Sequence, residues 1–274
     1  MMGPTNFKIL GKTFCIFLHL LLGSFLDNHL KIIGVIQARM NSKRLPGKVM
    51  LELLGKPIIH HMYDRLICCE QLDKVVISTG EYNTNKEICD YAKKHKIPLY
   101  VGNENDLIDR LYKTALKFEA TAIVRITGDC PLVDHIIVDK LVSEFSINTK
   151  HDIVTNCRIP TFPHGLDIEV YSTKVLKKLW NDITEIEFRE WFPLYIKKNF
   201  KEFRILDITN EINLSDLRLT IDYEDDFKLI KLIYEEMQSN TFVLDDVLKL
   251  LKRKPELCDI NKKYVGHHNI DAPS

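Results

Sequence analysis

At 274 residues, with 45% hydrophobic and 28% charged side chains, the chain holds enough apolar material for one large domain or a domain with a small lobe, and it falls outside the disordered class. Lys plus Arg and Asp plus Glu both number 38, and this balance excludes bulk charge as a means of binding nucleic acid or an anionic membrane, so no nucleic-acid partner is expected. The seven cysteines (15, 68, 69, 89, 130, 157 and 258) show neither C-x-x-C nor disulfide-like spacing, which suits reduced thiols in a cytoplasmic protein and argues against a zinc site.

Residues 1–30 stand apart from the rest. An apolar run over 14–26 follows Lys8 and Lys12, too short for a comfortable membrane span and without a clear small-residue cleavage site. It reads as an extension upstream of the folded unit, as a membrane-associating helix, or as a signal peptide. Membrane contact is expected only if the run is a genuine membrane segment.

From Lys31 onward, apolar strand-like runs alternate with helix-period segments. Strands are predicted over 32–36, 74–78, 99–101, 122–126 and 152–155, and helices over 57–69, 85–95, 106–119 and 134–145. Pro57, after Gly55, suits a first helical position. The alternation predicts an α/β fold whose mainly parallel sheet is covered by helices on both faces. The first four strands are nearly unbroken in apolar residues, as burial of both faces requires.

After Thr155 the rhythm changes. A turn-rich loop over 159–165 precedes a strand over 166–171, helices over 172–180 and 183–198, and strands over 203–207 and 217–221. Helices over 223–238 and 243–252 close the unit. One domain over 31–253 is expected, with a small substrate-side insertion from about Asn156 to Asn213 and a loosely packed polar tail over 254–274.

Three stretches carry candidate chemistry. The loop Gln37-Ala38-Arg39-Met40-Asn41-Ser42-Lys43-Arg44-Leu45-Pro46-Gly47-Lys48 leaves the first strand with several cations and no acid. Its place at the carboxyl end of a parallel strand is where open α/β sheets bind ligands, and its charge asks for a polyanion such as a nucleoside triphosphate. The alternative is a solvated basic turn. Neither a Walker loop nor G-x-G-x-x-G occurs. In Val124-Arg125-Ile126-Thr127-Gly128-Asp129-Cys130-Pro131, a strand ends at an aspartate on the same edge, placed either to hold Mg2+ against phosphates or to cap the next helix. In Leu217-Arg218-Leu219-Thr220-Ile221-Asp222, a further strand is predicted to end in an acid; Glu224, Asp225 and Asp226 read as acids of a helix N-terminus.

Together these stretches carry a family resemblance. Gln-Ala-Arg-Met-x-Ser-x-Arg-Leu-Pro-Gly-Lys at 37–48, Arg-Ile-Thr-Gly-Asp-Cys-Pro at 125–131, Phe-Pro-x-Gly-Leu-Asp-x-Glu-Val at 162–170 and Leu-Thr-Ile-Asp at 219–222 resemble, in order, the cytidylyltransferases of the spore-coat polysaccharide type, relatives of CMP-KDO and CMP-sialic acid synthetases. The resemblance runs from about Lys31 to Lys252. It implies a Rossmann-like three-layer nucleotidyltransferase fold and an Mg2+-dependent reaction in which a small polar acceptor, such as a sugar acid, attacks the α-phosphate of CTP. A homodimer is also implied.

By motif position, Arg39, Arg44 and Lys48 would act on the triphosphate. Gln37, Ala38, Ser42, Asp106, Arg110, Thr127 and Gly128 would complete the nucleotide side. Asp129 and Asp222 would bind the metal, and His164, Gly165, Asp167 and Glu169 would line the acceptor pocket. There are two departures. Thr127 stands where sugar-activating relatives often have Gln, and Arg189-Glu190-Trp191 stands where related chains carry Arg-Glu-His.

The competing readings are a nucleotidyltransferase for a phosphonate or polyol phosphate or for another NTP, a glycosyltransferase, and a non-catalytic nucleotide-binding protein. A glycosyltransferase would be expected to show Asp-x-Asp after a strand, and none sits in such a place. Presence of both Asp129 and Asp222 speaks against a binding relic.

Overall fold

A computed structural model describes residues 30–148 and 150–266; the apolar run at 14–26 and the end of the polar tail lie outside them. Strand β1 (Ile32–Gln37) is followed by a short hairpin, β2 (Glu52–Leu53) and β3 (Lys56–Pro57), then α1 (Ile58–Leu66) and β4 (Lys74–Thr79). Next come α2 (Lys86–Lys94), β5 (Leu99–Val101), α3 (Leu107–Lys117), β6 (Ala122–Thr127) and α4 (His135–Ile147). The second half contains β7 (Ile153–Thr155), β8 (Glu169–Ser172), α5 (Thr173–Asp182), α6 (Ile186–Glu190) and α7 (Phe192–Lys198). It closes with β9 (Ile205–Asp207), α8 (Glu224–Met237) and α9 (Leu244–Arg253).

Seven strands form one sheet in the order β5-β4-β1-β6-β8-β7-β9. β5, β4, β1 and β6 run parallel, β8 lies antiparallel to both β6 and β7, and β9 is parallel to β7. The fold is therefore the expected α/β class with a mainly parallel sheet. The stretch read as an insertion supplies β8 and β9 to that same sheet.

Burial explains the central strands: five of the six residues of β1 are fully enclosed, which only an unbroken apolar run tolerates. Ile33, Val35, Val76, Ile123 and Tyr171 share one core cluster with Ile108, Leu111 and Ala115 of α3, Leu176 and Leu179 of α5, and Phe192. Helices α1, α2 and α4 contact the strands through other residues. Among the described residues no helix is long and apolar enough to cross a membrane.

The order of the strands locates the crevice. The chain starts at the sheet centre, winds outward to β5, and returns to β6 on the other side of β1. The connections leaving β1 and β6 therefore diverge, and such a switch point is where open α/β sheets bind ligands. The loop 38–48 and Asp129 both lie there.

Several expectations are corrected. The helix over 183–198 breaks at Trp191 into α6 and α7, because Pro193 has no N–H to extend the ladder and occupies the first turn of the second helix instead. The stretch 217–221 is no strand. It makes a single bridge, His164 to Arg218, and then turns its donors elsewhere: Ile221 N and Thr220 Oγ1 both reach the Asp129 carbonyl, at 2.9 and 3.0 Å. Residues 166–168 follow a turn closed by Leu166 N on Pro163 O and pair with no strand, so β8 starts at Glu169. Pro57 sits just before α1 and pairs with Glu52. The start of the tail is packed, not loose: Leu257 and Asn261 are buried, and the Tyr264 ring stacks on Tyr223 at 4.0 Å.

Candidate active site

The basic loop is held in a tight fold by one carbonyl. Met40 O accepts from Ser42 N at 3.0 Å and from Gly47 N at 2.9 Å, and Gly47 adopts a left-handed φ of 70°, which a side chain would resist. Lys48 follows directly and points into the switch point. Its Nζ donates to Asp129 Oδ2 at 3.1 Å, Asp222 Oδ1 at 2.9 Å and the Ile221 carbonyl at 2.6 Å. Gly128 lets the two strand ends come this close: its N–H donates to Gln37 O at 2.8 Å, and an added Cβ would stand 2.9 Å from that same oxygen.

Asp222 is the hub. Its Oδ1 also accepts from Arg44 Nη2 at 2.8 Å and its Oδ2 from Arg218 Nη2 at 2.9 Å, while its side chain is only 1% exposed. Arg218 is fixed in turn by Asp226, and Asn261 Nδ2 reaches Asp226 Oδ1 at 2.8 Å. Burial alone would lower the Lys48 ammonium, but Asp129 and Asp222 hold its pKa above the ordinary lysine value. Burial would likewise raise Asp129; the Lys48 charge and the Thr127 hydroxyl overcome that and hold it well below the usual carboxylate range. Asp129, Asp222 and Asp226 thus face Lys48, Arg44 and Arg218 with their charges matched.

On the far side, the turn from Pro163 to Asp167 is fixed by its neighbours. His164 N and O pair with Leu217 O and Leu219 N, and Leu166 N closes on Pro163 O. The buried Asn156 side chain clamps the turn from below, donating to Leu166 O at 2.7 Å and accepting from Ile168 N at 2.8 Å. His164 Nδ1 lies 3.1 Å from Arg218 Nη1; a guanidinium only donates, so Nδ1 accepts and the ring proton belongs on Nε2. Nε2 in turn faces Asp167 Oδ2 at 3.9 Å, and that oxygen accepts from Gly165 N at 2.9 Å. Desolvation, with Asp129 and Glu169 nearby, raises the Asp167 carboxyl above the ordinary value even though His164 and the Gly165 N–H oppose the shift.

Glu169 joins this side to the nucleotide loop through a residue that the motifs did not single out. Arg125 pairs with Glu169 through Nη1 and donates from Nε to Gln37 Oε1 at 2.9 Å, while Tyr171 OH donates to Glu169 Oε1 at 2.6 Å. Burial would depress Arg125, but Glu169 holds it above the ordinary arginine value.

The remaining sequence-selected residues form a second group. Arg39 donates to Glu104 O at 2.9 Å and to Glu190 Oε1 at 3.1 Å. Asp106 caps α3 by accepting from Asp109 N at 2.9 Å and accepts Arg189 Nε at 2.6 Å. Arg110 is buried, donates to Asn103 O and Glu104 O, and is lowered to about 10 by burial and the Arg39 charge. Ala38 is buried with its N–H on Ser78 O, and Thr127 Oγ1 lies 3.2 Å from Cys130 Sγ.

The structure therefore unites Arg44, Lys48, Asp129, Asp222 and His164 in one network with Asp167 beside it, and links Gln37 to Glu169. Arg39 and Asp106 sit apart, tied to Glu190 and Arg189 of α6, and Arg110 joins Arg39 at the Glu104 carbonyl. Sequence reading missed Arg125, Arg218, Asp226 and Asn261 as members. Arg125 did carry a signal: it is a charged residue inside an apolar run that leads to an aspartate.

Comparison with known proteins shows the family. The cytidylyltransferase family model matches residues 33–252. A solved cytidylyltransferase from Leptospira borgpetersenii serovar Hardjo-bovis is similar at TM-score 0.81 and 35% identity, covering 84% of this chain and 97% of that one. The spore coat polysaccharide biosynthesis protein SpsF of Bacillus subtilis is 27% identical over 234 residues, 82% of this chain and 95% of that protein. A 3-deoxy-manno-octulosonate cytidylyltransferase from Syntrophobacter fumaroxidans is 32% identical over 116 residues, 41% of this chain and 46% of that protein. The chain belongs to the cytidylyltransferase family and is a nucleotidyltransferase enzyme.

Proposed function

We propose that the protein is an Mg2+-dependent cytidylyltransferase that transfers CMP from CTP to a sugar acid or related hydroxyl-bearing acceptor, releasing pyrophosphate, for surface polysaccharide or glycan synthesis. The observation that carries the reading is the convergence of Asp129 and Asp222 on one cation, the Lys48 ammonium. Among the described residues no three His, Cys, Asp or Glu side chains gather into a closed metal cage. That suits Mg2+, which commonly takes one or two carboxylates and leaves its other positions to water and substrate phosphates. Asp129 and Asp222 are the ligands in this reading, and the bound ion would neutralise triphosphate charge and polarise the α-phosphate.

The chain's own residues do the rest. Attack at an α-phosphorus demands alignment and neutralisation more than covalent help. Arg44 and Lys48, on the loop at the switch point, are placed to meet the departing pyrophosphate. Arg39, which the family resemblance set against the triphosphate, lies apart from Arg44 and Lys48 on Glu104 and Glu190, and in this reading serves the nucleoside end with Asp106 and Arg110; Gln37 is oriented by Arg125. His164 and Asp167 present a donor and an acceptor to the attacking molecule, with Gly165 seating their turn against the Leu219–Thr220 backbone and Glu169 bounding the pocket. The assembly proposed is a homodimer.

The test is pyrophosphate release with Mg2+, each of the four NTPs and a panel of sugar acids and polyol phosphates. Release with CTP and a sugar acid is expected, and Asp129→Asn should lower it on the order of 10²-fold or more without unfolding the chain. Full Mg2+-dependent release by Asp129→Asn, or release with another NTP and none with CTP, would overturn the reading.

A further inference from the structure

We propose that Lys48 is a built-in stand-in for the divalent cation, so that the Asp129–Asp222 pair takes up metal only together with a nucleotide carrying a polyphosphate. The inference rests on the reading of these aspartates as metal ligands and adds to it the order of loading.

The geometry is that of a cation in an oxygen cage. Nζ lies 3.1 Å from Asp129 Oδ2, 2.9 Å from Asp222 Oδ1 and 2.6 Å from the Ile221 carbonyl, and the lysine as a whole is 9% exposed. An ammonium at these distances fills the space in which a hard cation would bind the same oxygens, so the two exclude each other. Their exchange has an electrostatic logic. Removing the ammonium alone would strip the enclosed Asp129 of its cation and leave Asp222 to Arg44 and Arg218, which is unfavourable. A free divalent ion must therefore displace a charge that is already well placed.

A triphosphate alters this balance because it offers the ammonium other oxygens. Lys48 has a long flexible stem and directly follows Gly47, whose φ of 70° marks the bend of the loop. Arg44, also on Asp222 Oδ1, belongs to the same loop and can follow the same anion. Once these cations turn to the phosphates, the aspartates are uncovered and the metal is admitted. Linkage makes the effect reciprocal: polyphosphate and metal each strengthen the other's binding. CMP lacks the β- and γ-phosphates and should not open the site.

The test is Mn2+ binding to the full chain, followed by electron paramagnetic resonance, with no nucleotide, with CMP and with CTP. Lys48→Met should bind Mn2+ without nucleotide roughly tenfold or more tightly than wild type, within the usual range of coupling. Lys48→Arg should behave as wild type. Lys48→Gln, which keeps a hydrogen bond to the aspartates without the charge, replaces the methionine variant if circular dichroism shows that variant unfolded. Nucleotide-free Mn2+ binding as tight in wild type as in the uncharged variants overturns the proposal and leaves the metal reading standing. No Mn2+ uptake under any condition overturns both.

Discussion

The Arg218 guanidinium meets the Asp226 carboxylate edge to edge, Nε on Oδ1 and Nη2 on Oδ2, both at 2.9 Å, with both side chains buried. The same Nη2 reaches Asp222, so the carboxylate at the centre of the site is positioned from behind by a residue that stays in the protein interior. Arg218→Met would leave the buried Asp226 carboxylate without its cation and Asp222 with only Lys48 and Arg44, and should cost about 3–5 kcal/mol in urea unfolding. Arg218→Lys should recover only part of that, because an ammonium cannot span both oxygens as a guanidinium does. Equal stability of wild type and Arg218→Met would refute this account of the network.

Gly165 has φ +107°, and an added Cβ would lie 2.5 Å from the Leu219 carbonyl and 2.6 Å from Thr220 N. Both neighbours are backbone atoms of the segment that carries Asp222. Gly165→Ala should therefore destabilise by at least about 1–3 kcal/mol and lower turnover by displacing His164 and Asp222 together. Thermal melts with parallel pyrophosphate assays check both effects.

Asp167 gives a pH signature. Its folded-state pKa is raised above the ordinary 3.8, so ionising it costs the native state stability above that value. Asp167→Asn can still accept from Gly165 N, and it should melt higher than wild type at neutral pH. The gain should vanish below the ordinary aspartate value, where both states of the wild-type residue are protonated. Turnover should fall throughout. A variant that melts lower than wild type at neutral pH would contradict the direction of the shift.

The Arg39–Glu190 pair is part-exposed at 28% and 30%, so it contributes at most about 1 kcal/mol. Glu190→Gln releases Arg39 without opening a cavity. With Arg39 serving the nucleotide, KM for CTP should fall by a factor of up to about five, with the melting temperature nearly unchanged. A rise in KM would instead place Glu190 itself against the substrate.

Much of the fold is legible in the chain itself. Strands buried on both faces are predominantly apolar, so β1, β4 and β6 announce themselves in the chain and fix where the basic loop and Asp129 emerge. Lys48, Asp129 and Asp222 could be picked out because charged residues beside apolar runs are rare. The inner support could not. Arg218 alternates with Leu217 and Leu219 as a solvent-facing strand residue would, and Asp226 has the composition of an ordinary helix N-terminus. Only their mutual burial reveals a different role. The segment 217–221 also has strand periodicity, yet its hydrogen bonds go to His164 and Asp129, long-range partners that no local pattern encodes. Trp191 looked continuous with its flanking helices because side-chain periodicity survives a break that one proline imposes.

Asn261 donates to the Arg218 carbonyl at 3.0 Å and to Asp226 at 2.8 Å, tying a residue beyond α9 to the hub of the site. A chain cut just after α9 would hold every residue proposed to touch substrate and still lack the peg behind them, so such a cut separates the crevice from its support without altering a single group that faces the ligand.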